Sequence, residues 1–326
     1  MKVLVTGGAG YIGSIAVEQL IKAGEEVVVF DNLYQGHQQA VHPKAAFVQG
    51  DLADRAAVDA VMAQHKPDAI MHFASHTLVG ESMHVPGLYW RSNLVGTHNI
   101  AEASRIHGVR NIVFSSTCAT YGDPEKLPLT EDHPQRPVNP YGHTKLAFEY
   151  MLRDYAAAYG IGFAALRYFN AAGASVDGKY GERHDPETHL IPLVLQVALG
   201  QRSHIDIFGT DYPTPDGTCV RDYIHVEDLA EAHLLALEKI VPGQGNAFNV
   251  GTGTGHSVRA VVRVCEAVTG KAIAVKEGPR RAGDPPVLVA GSDKIRQALG
   301  WSPKFPDLQS IVETAWDWHR THPKGY

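Results

Sequence analysis

A short apolar strand, Val3-Leu4-Val5-Thr6, runs directly into glycines at positions 7, 10 and 13, and the residues after them carry the pattern of a helix. Few arrangements constrain a chain more. Gly7, Gly10 and Gly13 let the backbone turn tightly and come close to a dinucleotide pyrophosphate. The helix start supplies free N–H groups and the positive end of a dipole. A second strand, Glu26-Val27-Val28-Val29-Phe30, ends on Asp31, 18 residues beyond Gly13. A carboxylate there accepts hydrogen bonds from ribose hydroxyls and repels a 2′-phosphate, which predicts NAD rather than NADP. The plain alternative is that Asp31 is a solvated turn residue.

Apolar runs recur at 3–6, 26–30, 45–49, 69–74, 111–116 and 162–169, with amphipathic stretches at about 12–23, 54–65, 86–107 and 141–159 between them. Strands separated by helices imply right-handed crossovers and a parallel sheet. Continuous rather than alternating apolar runs imply strands covered on both faces. The expected class is therefore α/β, a doubly wound parallel sheet. After residue 170 the texture changes. Segments 171–189 and 208–221 are rich in Gly, Pro and polar residues and read as loops or lids. A strand–helix unit follows at 223–239, then a strand at 246–250, a helix at 257–269, a short strand and a last helix near 307–321. This division predicts a dinucleotide-binding domain over 1–170, with a later contribution from about 223–250. A smaller, interleaved C-terminal α/β substrate-binding lobe takes 171–326.

Composition excludes several classes. A net charge of −6 offers no basic footprint for nucleic acid or anionic membrane. No apolar run reaches the roughly 18 residues that span a bilayer. Met1 and Lys2 lead straight into the first strand, and Cys118, Cys219 and Cys265 lack CxxC spacing. Both features fit reduced thiols in a cytoplasmic protein without a signal peptide. Eighteen histidines raise the question of a metal. There is no HExxH, His72 and His76 straddle a strand end, and His319 and His322 sit near a polar terminus, so no metal site is expected.

The chemistry concentrates at Tyr141-Gly142-His143-Thr144-Lys145. Asn139 suits an N-cap and Pro140 the first helical position, which puts Tyr141 and Lys145 one turn apart on one helix face. A lysine ammonium beside a phenol stabilises the phenolate, making the tyrosine a usable general base for a hydroxyl proton. Tyr141 is the only tyrosine with lysine four positions on. Ser115-Ser116-Thr117 ends an apolar strand, where ligands of an open parallel sheet bind, although hydroxyl residues after strands are commonly turn formers.

Together, Gly7-x-x-Gly10-x-x-Gly13, Asp31-Asn32-Leu33, Gly50-Asp51-Leu52, Ser115-Ser116-Thr117 and Tyr141-x-x-x-Lys145 resemble the extended short-chain dehydrogenase/reductase family, built on a Rossmann fold. Leu166-Arg167-Tyr168-Phe169-Asn170, the run from Asp216 to His225, and Pro279-Arg280-Arg281-Ala282-Gly283-Asp284 narrow the resemblance to the 4-epimerases of that family that act on UDP-hexoses. It runs from Lys2 to Tyr326. The resemblance implies that Tyr11, Ile12 and the segment Asp31-Asn32-Leu33 to Gly36 hold NAD. It assigns the same role to Asp51 and Leu52, to the run Phe73-Ala74-Ser75-His76-Thr77, and to Asn93, Lys145 and Phe169, with Asp51 at the adenine. It places Thr117 and Tyr141 on the reacting sugar hydroxyl, and Asn170, His189, Leu190, Arg221, Arg281 and Asp284 on the UDP part. Leu288 would line the sugar pocket, where a bulky aromatic restricts the family to unacetylated sugars and a small residue admits an N-acetyl group.

The implied reaction interconverts UDP-glucose and UDP-galactose through a transient 4-keto sugar, with Tyr141 as base. UDP-N-acetylglucosamine or a UDP-pentose is the alternative substrate. A nucleotide-sugar 4,6-dehydratase would need Asp-Glu after Thr117, where this chain has Cys118-Ala119. A non-enzymatic NAD-binding protein would have no need of Tyr141, Lys145 and Thr117 together. One departure stands out: some of these epimerases carry Gly-Leu-Lys where this chain has Ser75-His76-Thr77, so a basic group near the cofactor is missing or replaced by His76. The resemblance also implies a homodimer joined through the helices at about 86–107 and 141–159.

Overall fold

A computed structural model describes residues 1–281 and 284–326; the Ala282-Gly283 pair of the late motif lies outside the described residues. Seven parallel strands form the main sheet: β1 (Lys2–Thr6), β2 (Glu26–Asp31), β3 (Ala46–Gln49), β4 (Ala69–His72), β5 (Asn111–Thr117), β6 (Gly162–Tyr168) and a late strand, Gly245–Val250. The first six stand in the order β3-β2-β1-β4-β5-β6, with the late strand beside β6. The order reverses between β1 and β4, and a ligand crevice opens beyond the carboxyl ends of the strands at such a switch point.

Successive residues of β1 point to opposite faces, and each face has its own core. Val3 and Val5 pack with Val17, Leu20, Leu229 and Phe248, while Leu4 packs with Val58, Ile100, Phe148 and Leu152. The first core is covered by α1 (Tyr11–Lys22). The second is covered by α2 (Arg55–His65) and by two long helical segments. One of these runs from Pro86 to His107 as α3 (Pro86–Tyr89), a π-helical turn (Trp90–Val95) and α4 (Gly96–His107); the other is α5 (Pro140–Tyr159). Double coverage explains why these strands read as unbroken apolar runs.

The remaining chain forms a second layer system. β7 (Asn170–Ala172) pairs with β9 (Val220–His225), which also pairs with β11 (Gly255–Ser257) and β13 (Val287–Leu288); β8 (Ile205–Phe208) pairs with β12 (Val275–Gly278). Their core gathers Ile191, Leu195, Val261, Cys265, Ile311 and Val312. It is covered by α6 (Leu190–Ala198), α8 (Val258–Thr269) and α10 (Leu308–Thr321). The segment 223–250 is divided between the two systems. Its helix α7 (Val226–Lys239) and the late strand, β10 (Gly245–Val250), serve the main sheet, whereas β9 lies in the second. Between α8 and α10 lies α9 (Asp293–Leu299), whose Ile295 reaches the first core. No described helix is long and apolar enough to cross a membrane.

Candidate active site

The glycine loop is fixed by contacts that exclude a side chain. Gly7 has φ +74°, and a Cβ there would stand 2.6 Å from the backbone nitrogen of Ala74. A Cβ on Gly13 would fall 2.1 Å from the Gly7 carbonyl oxygen. Gly10 is different: the only atom near its Cβ position is the Gly7 oxygen at 3.3 Å, so its outer side is open. Gly10 is also the N-cap of α1 and brings no side-chain cap, whereas α2 and α5 are capped by Asp54 and Asn139. The first-turn amides of α1, Tyr11 to Gly13, are therefore left for an outside acceptor.

Asp31 ends β2 and is buried, and burial raises its pKa. Its Oδ2 accepts from the Ala9 amide at 3.0 Å and its Oδ1 from the Leu33 amide at 2.8 Å, which partly offset that rise. Asp31 thus ties the glycine loop to the turn after β2, in which Leu33 adopts φ +61°. Gly36 closes over it, its Cβ position lying 2.9 Å from Asp31 Oδ1. Asn32 Nδ2 donates to Asp51 Oδ2 at 3.2 Å, and Leu52 is buried behind. Beyond β4, Asn93 accepts from the His76 amide (2.8 Å), donates to its carbonyl (2.9 Å) and reaches Thr144 (3.2 Å). Asn93 therefore holds the Ser75–Thr77 strip against α5. An uncapped helix start, an open glycine and a strand-end carboxylate form a donor and acceptor set that fits a dinucleotide. His76 lies tilted against Tyr34 (centroids 4.6 Å apart), and burial lowers its pKa, which disfavours a charged ring at the place of the missing basic group.

On α5, Asn139 Oδ1 accepts from the Gly142 amide at 2.8 Å and Pro140 opens the helix. Gly142 lets that helix start press against the end of β5: a Cβ there would be 2.6 Å from the Ala119 carbonyl oxygen. This brings Tyr141 to Thr117. Both are nearly buried. Burial drives the Tyr141 pKa well above that of a free phenol, while the neighbouring Thr117 hydroxyl pulls the other way. Lys145 has a partner that the sequence did not indicate. Its Nζ donates to the Ser115 carbonyl at 2.8 Å and lies 5.9 Å from the Tyr141 ring centroid, and burial lowers its pKa to about 7. Helical spacing placed the two residues on one face but could not show that the buried ammonium would satisfy itself on a strand carbonyl.

Across the crevice, Phe169 and Leu288 pack with Tyr121, Leu129, Ala290 and Cys118. Asn170 Nδ2 donates to the Asp222 carbonyl (2.9 Å), fixing β7 on β9. Arg221, opposite Leu288 in register, donates to Asp284 at 2.7 Å. Its guanidinium also opposes the rise that burial imposes on Cys118, whose pKa is pushed up to about 12. Arg281 lies over the Phe208 ring at 4.0 Å. Leu190 opens α6 with a free first-turn amide, but His189, the preceding residue, turns its imidazole onto Glu182.

Three participants escaped sequence reasoning. Phe208 carries Arg281, and Tyr168 bonds Ser115 beside Lys145. Glu149, fully buried on α5, receives Arg167 through Nε (2.9 Å) and Nη2 (2.5 Å) and Ser116 Oγ (2.6 Å). Arg167 sat inside a motif, but nothing marked Glu149 as its partner.

The profile of the NAD dependent epimerase/dehydratase family matches residues 3–251. The chain belongs to this family. NAD is accordingly its cofactor. Over 327 residues it is 52% identical to UDP-glucose 4-epimerase of Halalkalibacterium halodurans, with 100% of this chain and 98% of the relative covered. A UDP-glucose 4-epimerase from Brucella ovis, solved in complex with NAD, is 48% identical with a TM-score of 0.93, covering 97% of each chain. The enzyme from Bifidobacterium longum, solved with NAD+ and UDP, is 35% identical with a TM-score of 0.96 and 100% of both chains covered.

Proposed function

We propose that this chain interconverts UDP-glucose and UDP-galactose by inverting carbon 4 of the sugar through a transient 4-keto intermediate. The observation that carries this reading is the meeting of Tyr141 with Thr117 at the carboxyl end of β5. Tyr141, as phenolate, takes the proton of the 4-hydroxyl and later returns it. Thr117 donates between sugar and phenol, keeping the reacting oxygen on line. NAD, when bound, would supply a reversible hydride acceptor for carbon 4. A buried ammonium at Lys145, close to the phenol ring, favours the phenolate electrostatically even without touching its oxygen.

For the cofactor, the α1 amides of Tyr11 to Gly13 and the open face of Gly10 take the pyrophosphate. The free lone pairs of Asp31 take a ribose, while Asn32, Leu33, Asp51 and Leu52 border the adenine side. Phe73, Ala74, Ser75 and Thr77, ordered by Asn93, line the passage towards Phe169. For UDP, Arg221 and Arg281 offer two forked cations over the crevice, the donor geometry a pyrophosphate needs. Asp284 and Phe208 hold those forks in the free chain. Asn170, His189 and Leu190 complete that side, and Leu288 borders the ring. Binding energy collected on UDP holds the substrate while the ring, held loosely, presents either face.

This assignment divides the chain into a nucleotide domain, residues 1–170 with α7 and β10, and a UDP-sugar lobe within 171–326. Exposed Trp90, Val95 and Tyr150 on the α3–α4 run and α5 support a homodimer joined there. Three free thiols support a cytoplasmic setting.

Proton NMR of purified protein with UDP-galactose and no added NAD tests the reading. A gluco-rich equilibrium mixture supports it and shows retained cofactor. No conversion even with NAD supplied overturns the galactose assignment and points to pentose or uronate nucleotides.

A further inference from the structure

Between β7 and α6 the chain reads Glu182-Arg183-His184-Asp185-Pro186-Glu187-Thr188-His189. Glu182, His184, Glu187 and His189 each bring one donor atom to within 4.8 Å of the others. Glu182 is almost fully buried. Its Oε1 contacts His189 Nδ1 and stands 3.3 Å from His184 Nδ1, and Glu187 Oε1 is 3.7 Å from that same nitrogen. The last two separations exceed the usual 2.7–3.2 Å of an N–H···O bond. The Glu182–His184 separation matches the edge of a tetrahedron, roughly 3.3 Å, drawn around a metal with bonds of about 2.0–2.1 Å. The Glu187 oxygen stands wider and the Glu182–His189 contact closer, so both would shift by less than about 1.5 Å to bind an ion.

Charge leads to the same place. A carboxylate withdrawn from water needs a positive partner. Among the described residues, no lysine or arginine forms an ion pair with Glu182 or Glu187. Arg183 turns away and donates to the carbonyls of His184 (2.6 Å) and Lys324 (3.4 Å). The nearest cationic partners among the described residues are the two imidazoles, whose ring centroids are 5.2 Å apart and which would repel if both were protonated. One divalent ion supplies the same charge with both rings neutral.

We propose that Glu182, His184, Glu187 and His189 form a four-coordinate structural site for a divalent transition metal of the zinc class. Two imidazole nitrogens and two carboxylate oxygens suit zinc, whereas magnesium and calcium prefer oxygen alone. Four protein ligands leave no open position for a substrate, so the ion braces the loop instead of taking part in the reaction. The half-exposed His189 side chain gives the ion a way in. The braced loop abuts the nucleotide side: the Arg183 carbonyl meets His37 Nε2 at 3.1 Å, and Tyr11 stands edge-on to His184 with centroids 6.4 Å apart. The expectation of no metal rested on other histidine pairs. Here the signal is Glu-x-His-x-x-Glu-x-His within eight residues.

The test uses the full-length holoenzyme, produced with zinc in the medium and passed through gel filtration. Elemental analysis is expected to find about one zinc per chain. Protein stripped by a chelator is expected to gain thermal stability when zinc is added back, and cobalt(II) in its place is expected to give the visible absorption of a tetrahedral site. His184→Ala is expected to lower zinc to background while far-ultraviolet circular dichroism and bound NAD persist. If that variant does not fold, the chelation and cobalt measurements on the unaltered chain decide. Substoichiometric zinc, no cobalt band, or equal zinc in His184→Ala overturns the proposal. None of these readouts depends on epimerisation, so the two proposals fail separately.

Discussion

Lys145 Nζ donates to the main-chain carbonyl of Ser115 at 2.8 Å and stands 5.9 Å from the centre of the Tyr141 ring, so its charge acts on the phenol through space. Both residues sit one turn apart on α5, and both are buried. The helix that presents the proposed base therefore carries an ammonium with very little water around it.

That burial has a pH signature. The Lys145 pKa falls from 10.5 in the unfolded chain to about 7 in the folded one. Between those values the unfolded chain holds a proton that the folded chain lacks, so stability rises with pH through the window and is lost as pH falls through 7. The full shift amounts to a few kcal/mol, on the order of 1.4 per pH unit. Lys145→Met removes this component. In urea unfolding of cofactor-free protein, the variant is expected to be the more stable at pH 6, with the gap narrowing by pH 9. The same variant is expected to lose about 10²-fold or more in turnover. Equal pH dependence of stability in the two proteins would show that the ammonium is not buried at a cost.

Tyr141→Phe keeps the ring and removes the proton acceptor. Turnover of UDP-galactose is expected to fall by about 10²–10⁴-fold with NAD content unchanged. Thr117→Val, which deletes the hydroxyl beside the phenol, is expected to cost less. If the two hydroxyls act as one relay, the double variant loses hardly more than Tyr141→Phe alone. Losses that multiply would mean that Thr117 works independently of Tyr141.

Two glycines of the first motif are expected to respond differently to a methyl group. At Gly13 the new carbon would lie 2.1 Å from a backbone oxygen, and the loop has to move. Gly13→Ala should therefore lower stability by about 1–3 kcal/mol. At Gly10 the nearest atom is 3.3 Å away and the methyl projects into the open side. Gly10→Ala is expected to keep the melting temperature of the NAD-free protein and lose NAD on gel filtration. Thermal unfolding with and without NAD separates the two, and a Gly10→Ala protein that retains NAD would exclude the pyrophosphate from that face.

The sheet was legible because its central strands carry continuous apolar stretches such as Val3-Leu4-Val5, Val27-Val28-Val29-Phe30 and Ala69-Ile70-Met71, the pattern that double burial imposes, whereas the edge strand β3 is only partly buried. The role of β9 was not, since Val220–His225 reads the same whether it joins the main sheet or the second one, and only its neighbours β7, β11 and β13 decide. Local chemistry behaved likewise. The N-cap of α5 followed from Asn139-Pro140, and the glycine contacts followed from their spacing. The partner of Lys145 did not, because a long flexible side chain chooses among acceptors brought together by the fold. Glu149 and Arg167 lie 18 positions apart and meet between α5 and β6 in a fully buried, bidentate pair. No period in the sequence records such a meeting.

Leu288 offers the sharpest test of substrate choice. It lies in β13, opposite Arg221 of β9, and packs beside Phe169 and Tyr121 while remaining partly exposed. A side chain at that place borders both Arg221, proposed to bind UDP, and the proposed ring site, so on that reading its bulk sets the room left for a substituent on carbon 2. Apolar pockets discriminate by about 10–200-fold per group they must accommodate. Leu288→Ala is expected to raise turnover of UDP-N-acetylgalactosamine relative to UDP-galactose by about tenfold or more. The stability cost should be about 1–2 kcal/mol, because the residue is only partly buried. Leu288→Tyr should do the reverse, abolishing N-acetyl turnover while sparing the hexose. Competition assays with both sugars, read by NMR, give the ratio directly. A ratio that moves with neither substitution would place the carbon 2 substituent against a different wall of the crevice.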